Sequence, residues 1–352
     1  MNKIFKVIWN KTTQSLVVTS ELARGAVKSP SDTNSESKSS LGKVFKLSAL
    51  SLLLLDVTST AYAAIPEGSI ARGVVQAVAI GGGSSTDAHG AVVVGAASRA
   101  TGGVKGIAIG HTVVANGQDA VAIGSNSNAQ TQAVAIGRLA NAAADGVAVG
   151  NEAKAVANST SLGNKAKAFS LGTIAIASGG KDTTATGNGA IAIGSEAVSN
   201  GNNAVALAAN ANATGAKAIA IGSDSKSLAQ STLAIGNNAS ASAYTATALG
   251  TNAAASGQKA IAISAGPNST TATELAAIAI GSDSKALGNS SLAIGDSANA
   301  IQENATAVGR NSNASNIGAT AIGNNANAAI LATAVGNNTA ASGRGASAFG
   351  TS

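Results

Sequence analysis

The chain has 352 residues, 22 Lys and Arg against 16 Asp and Glu, and a formal net charge of +6. Aromatics are 2% and charged residues 11%, well below the ~25% charged of an ordinary soluble domain, while Gly contributes 42 residues and Cys none. That excludes a compact core built on large side chains. A hydrophobic content of 45% equally excludes an extended disordered chain. What fits is a repetitive fold packing small side chains against a closely approaching backbone.

The N-terminal segment differs from the rest. A basic lead (Lys3, Lys6, Lys11, Arg24, Lys28, Lys38, Lys43 and Lys46) precedes an apolar run from Leu47 to Leu55, and Ala61-Tyr62-Ala63 follows as a small-residue cleavage site. These are the three parts of a secretory signal peptide. The run is too short for a transmembrane helix, which needs about 20 residues. Met1 to Asn10 and Val17 to Gly25 resemble the extended signal region of large autotransporters of Gram-negative bacteria. Residues 1–63 are therefore read as an extended signal peptide, cleaved after Ala63. Its removal leaves a net charge of +2 on residues 64–352. Nucleic acid is then not an expected partner, because it requires clustered Lys and Arg.

From Val78 onward one unit recurs. With the last residue of each Ala-Ile-Gly-like tripeptide as position 0, twenty units run from Gly81 to Gly350, with one regular spacing shared by most of them. The period is about 14 residues, whereas helix-pair repeats run to about 33 residues or more. Position −1 is apolar in every unit, position −2 is Ala in all but two (Val93 and Ser161), and position −3 is Val, Ile, Leu, Thr or Ser. Alternation with β-branched residues predicts a short strand. Gly at 0 predicts a turn with φ > 0, and the Asn, Ser and Asp that follow suit turns. Small residues at +3 and +5 flank a polar +4, predicting a second strand, and Gly at +7 marks the return turn.

Each unit thus reads as one coil of a parallel β-solenoid, and Ile123, Gly124, Ile193, Gly194, Ile221, Gly222, Ile235, Gly236, Ile294 and Gly295 are representative of its core and turn ladder. Twenty coils at the strand spacing give a rod of about 95 Å. Both faces of the first strand are apolar, so one is core and the other needs lateral cover; the pattern leaves open which is which. Two lengthened intervals, around Lys181-Asp182-Thr183-Thr184 and Gly266-Pro267-Asn268, are expected to bulge outward.

The units Ala120 to Ser127, Ala190 to Gly194 and Ser291 to Ala298 resemble the head repeats of trimeric autotransporter adhesins of the YadA type. The resemblance implies an all-β, left-handed parallel β-roll occupying residues 64–352, three chains per head, display beyond the outer membrane, and attachment to host extracellular matrix, host cells or other bacteria. No unit keeps the family's collagen-binding motif whole, since Asp119-Ala120 stands where Asn-Ser would precede Val121. The repeats run to Gly350 without a neck, stalk or barrel, so the chain is expected to be a truncated product or part of a longer protein.

No chemistry of catalysis is legible: His89 and His111 lie in different units with no carboxylate pattern, and Glu152, Glu196, Asp224 and Asp283 occupy turns without forming a calcium repeat. Gly81 to Ser85 lacks the Lys and helix of a phosphate loop. The reading is a non-enzymatic head with no cofactor, metal or small-molecule substrate. Adhesion is expected to be spread over many coils, with Lys154, Lys167, Lys226 and Lys285 at +4 as candidate contacts. An ice-binding or purely structural solenoid is the alternative, although Thr306, Thr320 and Thr333 form only a short Thr column.

Overall fold

The structure is a computed structural model describing residues 5–10, 15–20, 70–71 and 75–351. Chain contacts divide it into Met1–Leu55 and Asp56–Ser352. In the first unit, β1 (Phe5–Asn10) pairs antiparallel with β2 (Ser15–Ser20), with Val7 opposite Val18. The sequence reading did not anticipate this hairpin. Ala61 and Ala63 lie outside the described residues.

The second unit is a β-solenoid, and no helix occurs among the described residues. Every one of the twenty tripeptides forms a strand, from Val78–Ile80 to Ser347–Phe349, here called strand A of its coil. A second ladder, strand B, runs from Ile70–Ala71 to Ala340–Ala341. Both ladders are parallel and in strict register. Ala122 sits opposite Ala108 on one side and Ala135 on the other, although the two intervening coils differ in length by a single residue. The shorter coils lose that residue in the return corner, so strand pairing is undisturbed.

The structure decides the face that the pattern left open. The Ala of strand A points inward: Ala122, Ala192, Ala220 and Ala293 are fully buried. Four small residues fill each coil, two from strand A and its approach and two from strand B. In one coil these are Ala190, Ala192, Ala197 and Ser199, all fully buried. Two short strands joined by tight corners enclose no more volume than that. The Ile members of the expected core ladder, Ile123, Ile193, Ile221, Ile235 and Ile294, therefore lie on the outer face of strand A, outside the coil's own interior.

Most polar interior residues are hydrogen-bonded, as burial favours, although Ser199 Oγ and Ser225 Oγ are buried without a partner. Ser161 replaces Ala in strand A; its Oγ donates to the Lys154 carbonyl (2.5 Å) and accepts from the Ala168 N–H (3.0 Å). Thr183 Oγ1 donates to the Gly194 carbonyl (2.5 Å).

The first corner needs Gly at position 0 for two reasons. Gly222 has φ +125°, and a Cβ there would lie 2.5 Å from the Gly236 carbonyl oxygen of the next coil. Two residues later the chain is left-handed again, in about half of the coils at Asn or Asp, as at Asp224 (φ 58°) and Asn238 (φ 54°), the non-Gly residues that tolerate that region best. At most return corners the left-handed residue is not the +7 Gly but the one two positions on, as at Asn203 (φ 57°) and Ser290 (φ 53°), whereas Gly102 (φ 74°) and Gly117 (φ 125°) have positive φ at +7 itself. Gly201 is there for close approach: a Cβ would lie 1.9 Å from the Gly215 carbonyl oxygen.

Both lengthened coils carry a non-Gly residue at position 0, Ala177 and Ser264, and neither has positive φ. The extra residues let the chain turn by another route. Residues 178–182 and 267–269 are exposed and project outward as expected, but Thr183 and Thr184 do not: they belong to strand B, where they pair with Ala166 and Lys167 and Thr183 is fully buried.

Candidate adhesive surface

The rod presents two unlike faces. On the strand A face, residues −3 and −1 form stacked columns such as Ile191, Val205 and Ile219, and Ile193, Leu207 and Ile221. They are half-buried or exposed along the whole rod, with Ile80, Ile109, Ile235 and Ile322 each 37–39% exposed. Side-by-side packing along the column hides part of each side chain and leaves the rest as a continuous apolar stripe. Thr306, Thr320 and Thr333 stack in register within this stripe, on the apolar face rather than in a separate flat Thr array.

The strand B face is polar. Its +4 residues point outward, and Lys154 and Lys167 are register neighbours on adjacent coils. Lys226 stands between Asn212 and Ser240, and Lys285 between Thr271 and Asn299. The four lysines therefore share a face but not a site. From Lys167 to Lys226, and again from Lys226 to Lys285, the step is four coils, about 19 Å. Lys167 Nζ is paired with the Asp182 carboxylate and Lys285 Nζ with Asp283 Oδ1 at 3.2 Å. Lys154 and Lys226 have no carboxylate partner among the described residues.

The first corner carries carboxamide ladders one coil per rung. Asn311 donates to Asn325 (3.2 Å) and Asn325 to Asn338 (2.9 Å), while on the adjacent column Asn324 donates to Asn337 (3.1 Å). Coil-to-coil ion pairs were not read from the sequence: Arg138 with Glu152 at 2.9 Å, and Lys181 with Glu196 at 2.5 Å. Opposite charges separated along the chain by the length of one coil are the signal that identifies them.

His89 and His111 remain apart from one another's chemistry. His89 Nδ1 accepts from the Val75 N–H (3.2 Å), and His111 Nδ1 lies 3.0 Å from Thr112 Oγ1. Among the described residues no group of three His, Cys, Asp or Glu is arranged to hold a metal ion.

Two family models match the chain. Residues 1–50 match the extended signal peptide of the type V secretion system. The YadA head domain repeat matches eleven segments between residues 102 and 352, among them 102–127, 213–239 and 329–352, and the eleven together cover more than half of the chain. A comparison with curated proteins finds no match.

Proposed function

The chain belongs to the YadA head family, and from that membership we propose that its solenoid is the adhesive head of a homotrimer attaching a Gram-negative bacterium to host extracellular matrix, host cells or other bacteria. Its extended signal peptide and head repeats make it an exported, cell-surface autotransporter adhesin. In this reading residues 1–63 direct export and are cleaved after Ala63, and residues 64–352 are displayed.

The observation that carries the trimeric reading is the apolar stripe on the strand A face. Covering the exposed half of each Ile or Val side chain contributes roughly 1 kcal/mol. Twenty coils each offer one or two apolar positions of this kind, enough to outweigh the cost of association. The inward-facing Ala columns already complete each coil, so the stripe serves contacts between chains. The strand B face and its corners then stay outward. Weak contacts repeated on every coil and on three chains give avidity roughly 10²–10⁴ beyond one site when geometry permits.

The test uses the exported head. Light scattering should give three times the protomer mass. Removing whole coils in steps, beginning with residues 222–235, should lower attachment to matrix and cells gradually while the remaining coils stay folded, because each coil contacts mainly its neighbours. A stable monomer, or one point substitution that abolishes attachment without changing the trimer, would overturn the reading.

A further inference from the structure

We infer that the charged strip formed by strand B and the first corner between Arg138 and Glu196 binds a linear acidic polysaccharide laid along the rod. The inference rests on the reading above in one respect, that the strand B face stays outward when the strand A face is covered.

Charge is concentrated there. Arg138, Lys154, Lys165, Lys167 and Lys181 face three carboxylates, Glu152, Asp182 and Glu196, each already held by a cation. The surplus of two positive charges equals the net charge of all of residues 64–352. Lys154 and Lys165 carry that surplus, having no carboxylate partner among the described residues. Asp145, the remaining acid in this stretch, sits on the return corner with φ 58°.

The surface is also shaped. A depression of about 460 Å³ is lined by Lys165, Lys181, Thr184 and Glu196, and the inserted segment at Gly180 and Asp182 forms one of its walls. A second, of about 380 Å³, is lined by Asn126, Asn128, Asn141, Lys154 and Lys167, together with Leu139 and with Glu152, whose carboxylate is paired with Arg138. Lys165 and Lys167 belong to one coil, so both depressions border it. The second depression follows the strand B register, in which Asn128, Asn141, Lys154 and Lys167 are successive neighbours.

This lining selects among polyanions. Ammonium groups for carboxylate or sulfate alternate with carboxamides and hydroxyls for sugar hydroxyls. No aromatic side chain lines either depression, so nothing there offers the stacking platform that single-stranded nucleic acid uses. Neither depression is an apolar groove of the kind that receives a peptide helix. Coils rise by about 4.8 Å, close to the length of one pyranose unit, so successive sugars meet successive coils. The backbone ladder fixes that spacing before the ligand arrives.

The experiment measures retention of the full trimeric head on immobilised heparin as salt is raised. Wild type should bind at low salt and be released by salt. Lys154→Gln with Lys165→Gln should weaken binding about fivefold, the scale of two exposed ionic contacts. Lys217→Gln with Lys259→Gln, which removes equal charge from the return corner, should bind as wild type. Soluble dextran sulfate should displace the head and neutral dextran should not. The inference is overturned if wild type is not retained or if both double variants weaken equally. Displacement by a single-stranded oligonucleotide at lower concentration than by heparin overturns it too. Light scattering checks that each variant remains trimeric. Failure here with attachment to cells and trimer mass intact removes the polysaccharide and leaves the adhesive head standing.

Discussion

Replacing Ala192 by Val tests whether the coil interior is full. Ala192 is fully buried and pairs with Ala175 and Ala206 on the flanking coils. Val adds two methyl groups where the adjacent backbones already stand at the strand spacing, so the cost should be about 2 kcal/mol, within the usual range for overpacking. The structure also shows how the cost can be relieved. Val93 occupies the same column and is fully buried, and the neighbouring coil carries Gly106 where every other coil but one, which has Gly146, carries Ala, Ser or Thr. A Cβ on Gly106 would come within 3.2 Å of Ala100 Cβ. Ala204 stands to Ala192 as Gly106 stands to Val93. The Ile191 N–H donates to the Ala204 carbonyl (2.9 Å), as the Val92 N–H donates to that of Gly106 (2.8 Å). Ala204→Gly alone should cost about 1.5 kcal/mol, from a lost methyl and a looser unfolded backbone. In the double variant the Val fills the vacated volume, and the effects should fall short of additivity by about 1 kcal/mol. Because a solenoid does not unfold as one unit, the assay is amide hydrogen exchange at Ile174–Ile176, Ile191–Ile193 and Val205–Leu207, with Ile278–Ile280 as a distant reference. Ala192→Val should speed exchange at the near strands roughly thirtyfold, the equivalent of about 2 kcal/mol, and leave the reference unchanged. A neutral Ala192→Val, or strict additivity in the double variant, would refute a filled interior.

Ile193→Asp with Ile221→Asp should leave the coils folded, since both side chains lie outside the interior, but should lower the trimer fraction in light scattering at equal concentration. Ala208 holds a corner position at φ 102° that Gly occupies in most coils. Ala208→Gly should therefore raise protection of the flanking strands by about 1 kcal/mol, the relief of strain less the entropy cost of Gly. Glu196→Gln removes an ion pair whose partners are 71% and 41% exposed; protection in its coil should change by no more than ~0.5 kcal/mol. N-terminal sequencing of exported material should find Ala64 first, and an intact Met1 end on the exported head would remove the cleavage assignment.

The period, the placement of all twenty strands and the Gly corners were readable from the sequence, because each rests on local chemistry. Val-Ala-Ile alternation makes an extended segment, and Gly at position 0 permits a φ that other residues resist. The outward insertions at Lys181 and Pro267 were readable from the lengthened spacing. At the candidate surface, the column of Lys154, Lys167, Lys226 and Lys285 followed from the same alternation. Their distribution did not, because Lys154 and Lys167 meet only through coil stacking, whereas Lys226 and Lys285 stand four coils apart from their neighbours in the series.

What the amino-acid sequence determined by itself is thus the repeat, its strands and its turns, together with a signal segment unlike the rest. The tertiary structure decided which side of strand A is the interior. Val-Ala-Ile is apolar on both sides, and nothing within the tripeptide ranks them. The ranking appears only when one repeat closes on itself, bringing strand B so near that Ala fits between the two strands and Ile does not. The same closure leaves the Ile column as an outward apolar stripe, fixes Gly201 under the path of Gly215, and sets Lys181 against Glu196 one coil away.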